Sequence, residues 1–303
     1  MKLRLFGPGA KGISVPGALL RDVLDVLVDG TQRAVRLRLE GRSTAQGPAP
    51  AWVEQAAAFD VRIEAGSTQL VLEAPPLAEA APEQFAQVRL FGEVTADRSC
   101  LDLLTESLDD AIAGRGDSGL FDDALLECFS DFGSAFRHGV EAMELANGTI
   151  YRLDPPTVQT FDVLKRRIPP DQRVVLAGKL DLLRHTSRMF TLVLEDGAAV
   201  RGVLGGDVDL DRVGHLWGKN ARISGAAKFR PSGAVLRIEA DDVHPAEGDF
   251  SVWSKSPRPL LGELDTRTLH REQGPRSGVS ALFGKWPGHE TEEEFLRALA
   301  EVS

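Results

Sequence analysis

The sequence predicts an α+β protein: a mixed helix and antiparallel-sheet domain, a small all-β domain of five strands, and a C-terminal tail with a short helix. Three observations carry this. Before residue 170, apolar side chains recur mostly at spacings of three and four, with a few alternating runs between them. From Arg173 to His244 short alternating runs are spaced by turn residues, the texture of a β domain. Beyond Pro257 periodicity fades, then returns as one amphipathic stripe at the chain end.

In order, residues 17 to 28 place apolar side chains as a half-buried helix does, with Pro16 suited to its first turn. After Asp29-Gly30, Val35, Leu37 and Leu39 alternate with Arg36, Arg38 and Glu40, which predicts a strand with one wet face. Residues 42 to 50 read as a loop and Trp52 to Phe59 as a short helix. Residues 59 to 63 and 69 to 73 flank Ala65-Gly66-Ser67-Thr68, a hairpin signal. Helical spacing returns at 100 to 113 and 120 to 136, separated by a glycine-rich break. Residues 140 to 145 with Asn147-Gly148 suggest a strand and turn, and 155 to 168 one more helix, stopped by Pro169-Pro170. The expected domains are therefore 1–170, 171–250, a linker at 251–276 and a tail at 277–303.

In the second domain, strands are expected at 174–183, 189–195, 199–204, 220–229 and 234–238, with a small helix at 211–217 between the third and fourth. This order, with the Gly178-Lys179-Leu180-Asp181-Leu182-Leu183-Arg184 opening, resembles an OB-fold, a five-stranded barrel with a helical element after its third strand.

Composition narrows function. The net charge of −10 opposes attraction of the whole surface to nucleic acid or an anionic membrane. Cys100 and Cys128 fall in helical segments, where a thiol packs as a small apolar group, so no disulfide framework is expected. Residues 1 to 12 lack the apolar stretch of a signal peptide and no run approaches the roughly 20 apolar residues of a membrane span, so a cytoplasmic protein is expected.

Chemical motifs are sparse. Gly7-Pro8-Gly9-Ala10-Lys11-Gly12 matches a dinucleotide string but does not open a helix. Asp207-Val208-Asp209-Leu210-Asp211 begins like a calcium loop, yet has Arg212 where glycine is needed, and reads as a turn entering a helix. The six histidines are scattered singly. No catalytic residue, cofactor or metal is assigned from these patterns, and the expected mode of action is binding.

Between Arg173 and Glu247 there are 11 Lys and Arg against 10 Asp and Glu, so the barrel segment is near neutral within an acidic chain. If it binds single-stranded nucleic acid, Arg184, Arg188, Lys219, Arg222, Lys228 and Arg230 would follow the backbone, with Phe190, Trp217 and Phe229 available to stack on bases. The competing reading puts those aromatics in the barrel core, and Phe190 is in phase with Leu192 and Leu194.

The tail joins Phe283 and Trp286 to a turn at Pro287-Gly288 and a helix opened by Thr291-Glu292-Glu293-Glu294, a capping box, with Phe295, Leu296, Leu299 and Val302 in one stripe. The run from Leu282 to Leu296 resembles the C-terminal tails of antitoxins encoded beside PIN-domain ribonuclease toxins. That resemblance implies an antitoxin-like inhibitor whose tail wraps a PIN-domain toxin. Lys285 would enter the toxin's acidic metal-binding cluster, with Arg276 and Arg297 as alternatives, while Phe283, Trp286, Phe295, Leu296 and Leu299 supply buried area. A lysine there makes charge-assisted hydrogen bonds where metal would sit. The alternative is a cytosolic nucleic-acid-binding or regulatory OB-fold protein without a toxin partner.

Overall fold

The computed structural model describes residues 1–10, 14–45, 47–64, 69–84 and 94–260. The expected tail, and with it every tail residue named above, lies outside these. Met1–Leu260 forms one compact unit.

Strand β1 (Lys2–Phe6) lies at the centre of a five-stranded antiparallel sheet, between β3 (Gln69–Glu73) and β4 (Ala142–Asn147). The edges are β2 (Asp60–Ile63), paired with β3 as the hairpin signal requires, and β5 (Thr149–Leu153), paired with β4. Alternation turns Leu3, Leu5, Leu70, Leu72, Met143 and Leu145 inward, all buried. They share one core with the helices.

Helix α1 (Gly17–Glu40) corrects the sequence reading, because the alternating residues 35 to 39 are its last turns and not a strand. Val35, Leu37 and Leu39 are buried, as is Arg36, which pairs with Glu40 at 2.9 Å. Arg38 pairs with Glu106 at 3.3 Å. A helix end with partners around most of its girth shows no polar stripe, so its pattern mimics a period of two. Gly30 is no turn either: a Cβ there would come within 2.9 Å of Leu104 Cδ1, so the glycine admits a close neighbour. The helix ends at Gly41, whose φ of 74° is left-handed and whose N–H donates to Leu37 O at 3.1 Å.

After the short helices α2 (Ala51–Ala56) and α3 (Leu77–Ala80), α4 (Cys100–Ile112) starts at a capping box between Ser99 and Asp102 and packs along α1. The single helix expected at 120–136 is two, α5 (Asp123–Ser130) and α6 (Gly133–Phe136). Between them Asp131 and Phe132 close tight turns onto Cys128 and Phe129, which puts Phe132 into the core. Helix α7 (Pro155–Arg167) is capped by Asp154 and packs on α5, with Phe161 5.7 Å from Phe129 between ring centres. Gly7 and Gly9 of the dinucleotide-like string serve close approach: a Cβ on Gly9 would fall 1.9 Å from His138 O.

Residues 172–245 form a closed barrel in the order β10–β8–β7–β6–β9. The strands are β6 (Gln172–Leu183), β7 (Met189–Val193), β8 (Ala199–Leu204), β9 (Asn220–Phe229) and β10 (Val235–Pro245), with helix α8 (Leu210–Gly214) between β8 and β9. Strands β8 and β10 run parallel and the other neighbours antiparallel, an OB-like arrangement. Phe190, Leu192, Ile223, Phe229 and Ile238 fill the interior. The last strand runs seven residues past its expected end at Ile238, because a bulge between Ala240 and Asp242 shifts the phase and breaks the alternation that sequence reading depends on. Asp209 caps α8 by accepting from the amide of Asp211 at 3.0 Å, as the acidic turn suggested. The chain then runs back along the barrel, where Ser254 Oγ accepts from Glu195 N at 2.8 Å and Leu260 N donates to Gln172 Oε1 at 2.9 Å.

Candidate functional site

The outward face of β7 and β8 meets the end of α1 across a cleft of about 180 Å³. Alternation supplies one wall: residues of β7 and β8 that do not point into the barrel, Met189, Thr191, Arg201 and Val203, face it. Leu37, Arg38 and Leu39 from α1 supply the other. Arg184, just past β6, and Arg230, just past β9, also line it, while Leu236 and Arg237 come from β10.

Five arginines therefore line one concavity, and no carboxylate is among its described lining residues. Their counter-charges approach from outside the lining. Arg38 is held by Glu106, and Arg230 donates to Asp117 Oδ1 at 3.2 Å and to its carbonyl at 3.1 Å. Arg237 donates to Asp122 Oδ2 at 3.0 Å and to Glu239 Oε1 at 3.1 Å. Asp122 in turn caps α5 and accepts from Ser43 Oγ at 2.6 Å, so the arginine is fixed by a network that is itself anchored. Arg184 differs: its guanidinium is half-buried and has no hydrogen bond or ion pair among the described residues. Burial pushes its pKa down, but a guanidinium stays charged. Arg230 Nε is also buried without a hydrogen-bond partner.

Of the six cations expected to follow a nucleic-acid backbone, only Arg184 and Arg230 come together here. Arg188 sits at a φ of 57° and spends its guanidinium on the carbonyls of Leu204, Gly205 and Val208, which makes it a clasp within the fold. Lys228 pairs with Asp171 and approaches Glu239. Lys219 and Arg222 are exposed and lie outside the cleft lining. Phe190 and Phe229 are core residues, so they cannot stack on bases, whereas Trp217 is 67% exposed and donates from Nε1 to Asp181 O at 2.9 Å. The reading of the sequence missed Arg38, Arg201 and Arg237. Arg201 carried a signal, an arginine on the outward phase of an otherwise apolar strand, whereas Arg38 was assigned to the wet face of a strand that does not form.

Both cysteines are buried free thiols. No cluster of three metal-ligating side chains occurs among the described residues, and no described helix is long and apolar enough to cross a membrane. Comparison with known proteins gives no match: no protein-family model, no curated protein and no solved structure is similar to this chain. The architecture is thus defined by its own geometry, an α+β layer joined to a five-stranded OB-like barrel.

Proposed function

We propose that this chain is a binding protein of regulatory type that takes up an anionic ligand in the cleft between the β7–β8 face and the end of α1. One observation carries the reading: five arginines line a single concavity, and one of them, Arg184, is half-buried with no partner of its own among the described residues. An unpaired cation taken partly out of water costs stability unless something restores its hydrogen bonds, and an anion does so. The covered face favours a discrete ligand over a nucleic-acid strand running through, since two of the three candidate stacking aromatics fill the core. The experiment is calorimetric titration of the full chain with inorganic phosphate and sulfate at low salt. Saturable one-to-one binding that weakens with added salt supports the reading, and an absence of anion binding at millimolar concentrations removes it.

A second reading concerns the tail and is compatible with the first. The likeness of residues 282 to 296 to the neutralising tails of antitoxins, together with the division of the chain after Leu260, supports a docking tail for a PIN-domain ribonuclease, with Lys285 as the residue that enters its acidic site. Co-purification of the full chain, and of a version ending at Gln273, with the product of the neighbouring gene tests it. Retention by the full chain alone, with loss of RNA cleavage, supports the tail as inhibitor; equal retention by both versions discards it.

A further inference from the structure

Resting on the cleft reading above, we infer that the ligand is a phosphomonoester, a terminal phosphate carried on a small apolar or planar group. The charge comes first. Arg38, Arg230 and Arg237 are already tied to Glu106, Asp117 and Asp122, which fixes their planes and leaves Arg184, with no partner among the described residues, to meet an incoming acceptor. Arginine forks match oxygen pairs bidentately, and a phosphomonoester offers three terminal oxygens and a charge of about −1.5 to −2 near neutral pH. A carboxylate offers two oxygens and one charge, enough for one fork.

The walls decide the rest of the ligand. Leu37, Leu39, Leu182, Met189, Val203 and Leu236 are apolar, and Thr191 is the one hydroxyl among the described lining residues, which suits an apolar or planar group better than a sugar. The cleft volume of about 180 Å³ is below the roughly 300–1,000 Å³ of pockets that bury drug-sized ligands. That accommodates a phosphoryl group and a few carbon atoms but not a run of nucleotides, so the phosphate is a chain end or belongs to a free small molecule. These are two sources of one chemistry, and they separate by experiment.

The test is calorimetric titration of the full chain with phenyl phosphate, inorganic phosphate and benzoate, repeated on Arg184→Met and Arg184→Lys. Because Arg184 has no partner among the described residues, both variants should keep the melting temperature of the parent, which shows that any loss is local. The expected result is one-to-one binding of phenyl phosphate at least tenfold tighter than benzoate, weakened about tenfold or more in Arg184→Met and less in Arg184→Lys. Affinity should also fall as pH drops through about 6, where a phosphomonoester takes up its second proton. Benzoate binding as tightly as phenyl phosphate overturns the phosphomonoester while leaving the cleft reading in place. Arg184→Met binding every anion as the parent does overturns both. A 5′-phosphorylated oligothymidylate that displaces phenyl phosphate, where its 5′-hydroxyl counterpart does not, identifies a nucleic-acid end. Displacement by neither identifies a free small phosphate, and equal displacement by both overturns the inference.

Discussion

Arg237 Nη1 lies 3.0 Å from Asp122 Oδ2 with both side chains less than a tenth exposed, and this pair ties strand β10 of the barrel to the first turn of helix α5. The barrel and the helical layer are joined through it. Asp122 also accepts from the backbone amide of Leu125 at 3.2 Å and from Ser43, so one carboxylate serves as helix cap, loop anchor and ion-pair partner.

Removing that carboxylate leaves the buried Arg237 with only the more exposed Glu239 as counter-charge. Asp122→Ala should lower unfolding free energy by about 2–4 kcal/mol, from the loss of the closer buried partner of Arg237, whose remaining Glu239 offsets part of the charge, together with the cap, whose loss costs about 1 kcal/mol. Replacing both partners, as in Asp122→Ala with Arg237→Met, should cost less than the sum of the single changes, since neither buried group then lacks its closest partner. Urea unfolding of the four proteins measures this, and a single change within about 0.5 kcal/mol of the parent would contradict the assignment.

Arg188 separates a structural from a nucleic-acid role. Its guanidinium holds three carbonyls, of Leu204, Gly205 and Val208, on the segment that leads into α8. Arg188→Ala should therefore destabilise the fold by about 1.5–3 kcal/mol, the range for hydrogen bonds to a charged group, whereas Arg222→Ala on the exposed face of β9 should change stability by less than about 0.5 kcal/mol. Thermal melts of both variants decide it; equal, small effects would return Arg188 to the set of free surface cations.

Much of this fold was legible in local pattern, and the reasons for the exceptions are physical. The barrel strands were found because each has one face in a core, so that Phe190, Leu192 and Leu194 keep a period of two. The β2–β3 hairpin was found from its connection. Residues 35 to 39 were misread because the end of α1 has apolar neighbours on more than one side, so the cue that distinguishes helix from strand is absent there. The central place of β1 in the sheet has no local signature, since strand order is a property of the assembled layer. The cleft is less legible still. Arg38 is more than 140 positions from Arg184, and only the seating of α1 against β7 and β8 brings them to one concavity.

The two cysteines make stability fall at alkaline pH. Burial pushes each thiol up to about 12 from an ordinary value of 9.0, and each Sγ donates to a backbone carbonyl, Cys100 to Ala58 and Cys128 to Val26. In the unfolded chain both ionise near the ordinary value, so above pH 9 the native state holds protons that the unfolded state has lost. Unfolding free energy then falls with rising pH, by at most about 1.4 kcal/mol per pH unit for each thiol, until the native thiols ionise as well. The contribution is complete below pH 9 and is lost between 9 and 12. Urea unfolding from pH 8 to 10.5 should show this slope in the parent and a flatter one in Cys100→Ala with Cys128→Ala, whatever the packing cost of the substitutions at pH 7. Under native conditions at pH 8 neither thiol should react with a disulfide reagent until the chain unfolds. A slope unchanged by removing both cysteines, or rapid labelling of the folded protein, would show that the thiols are not held protonated in the core.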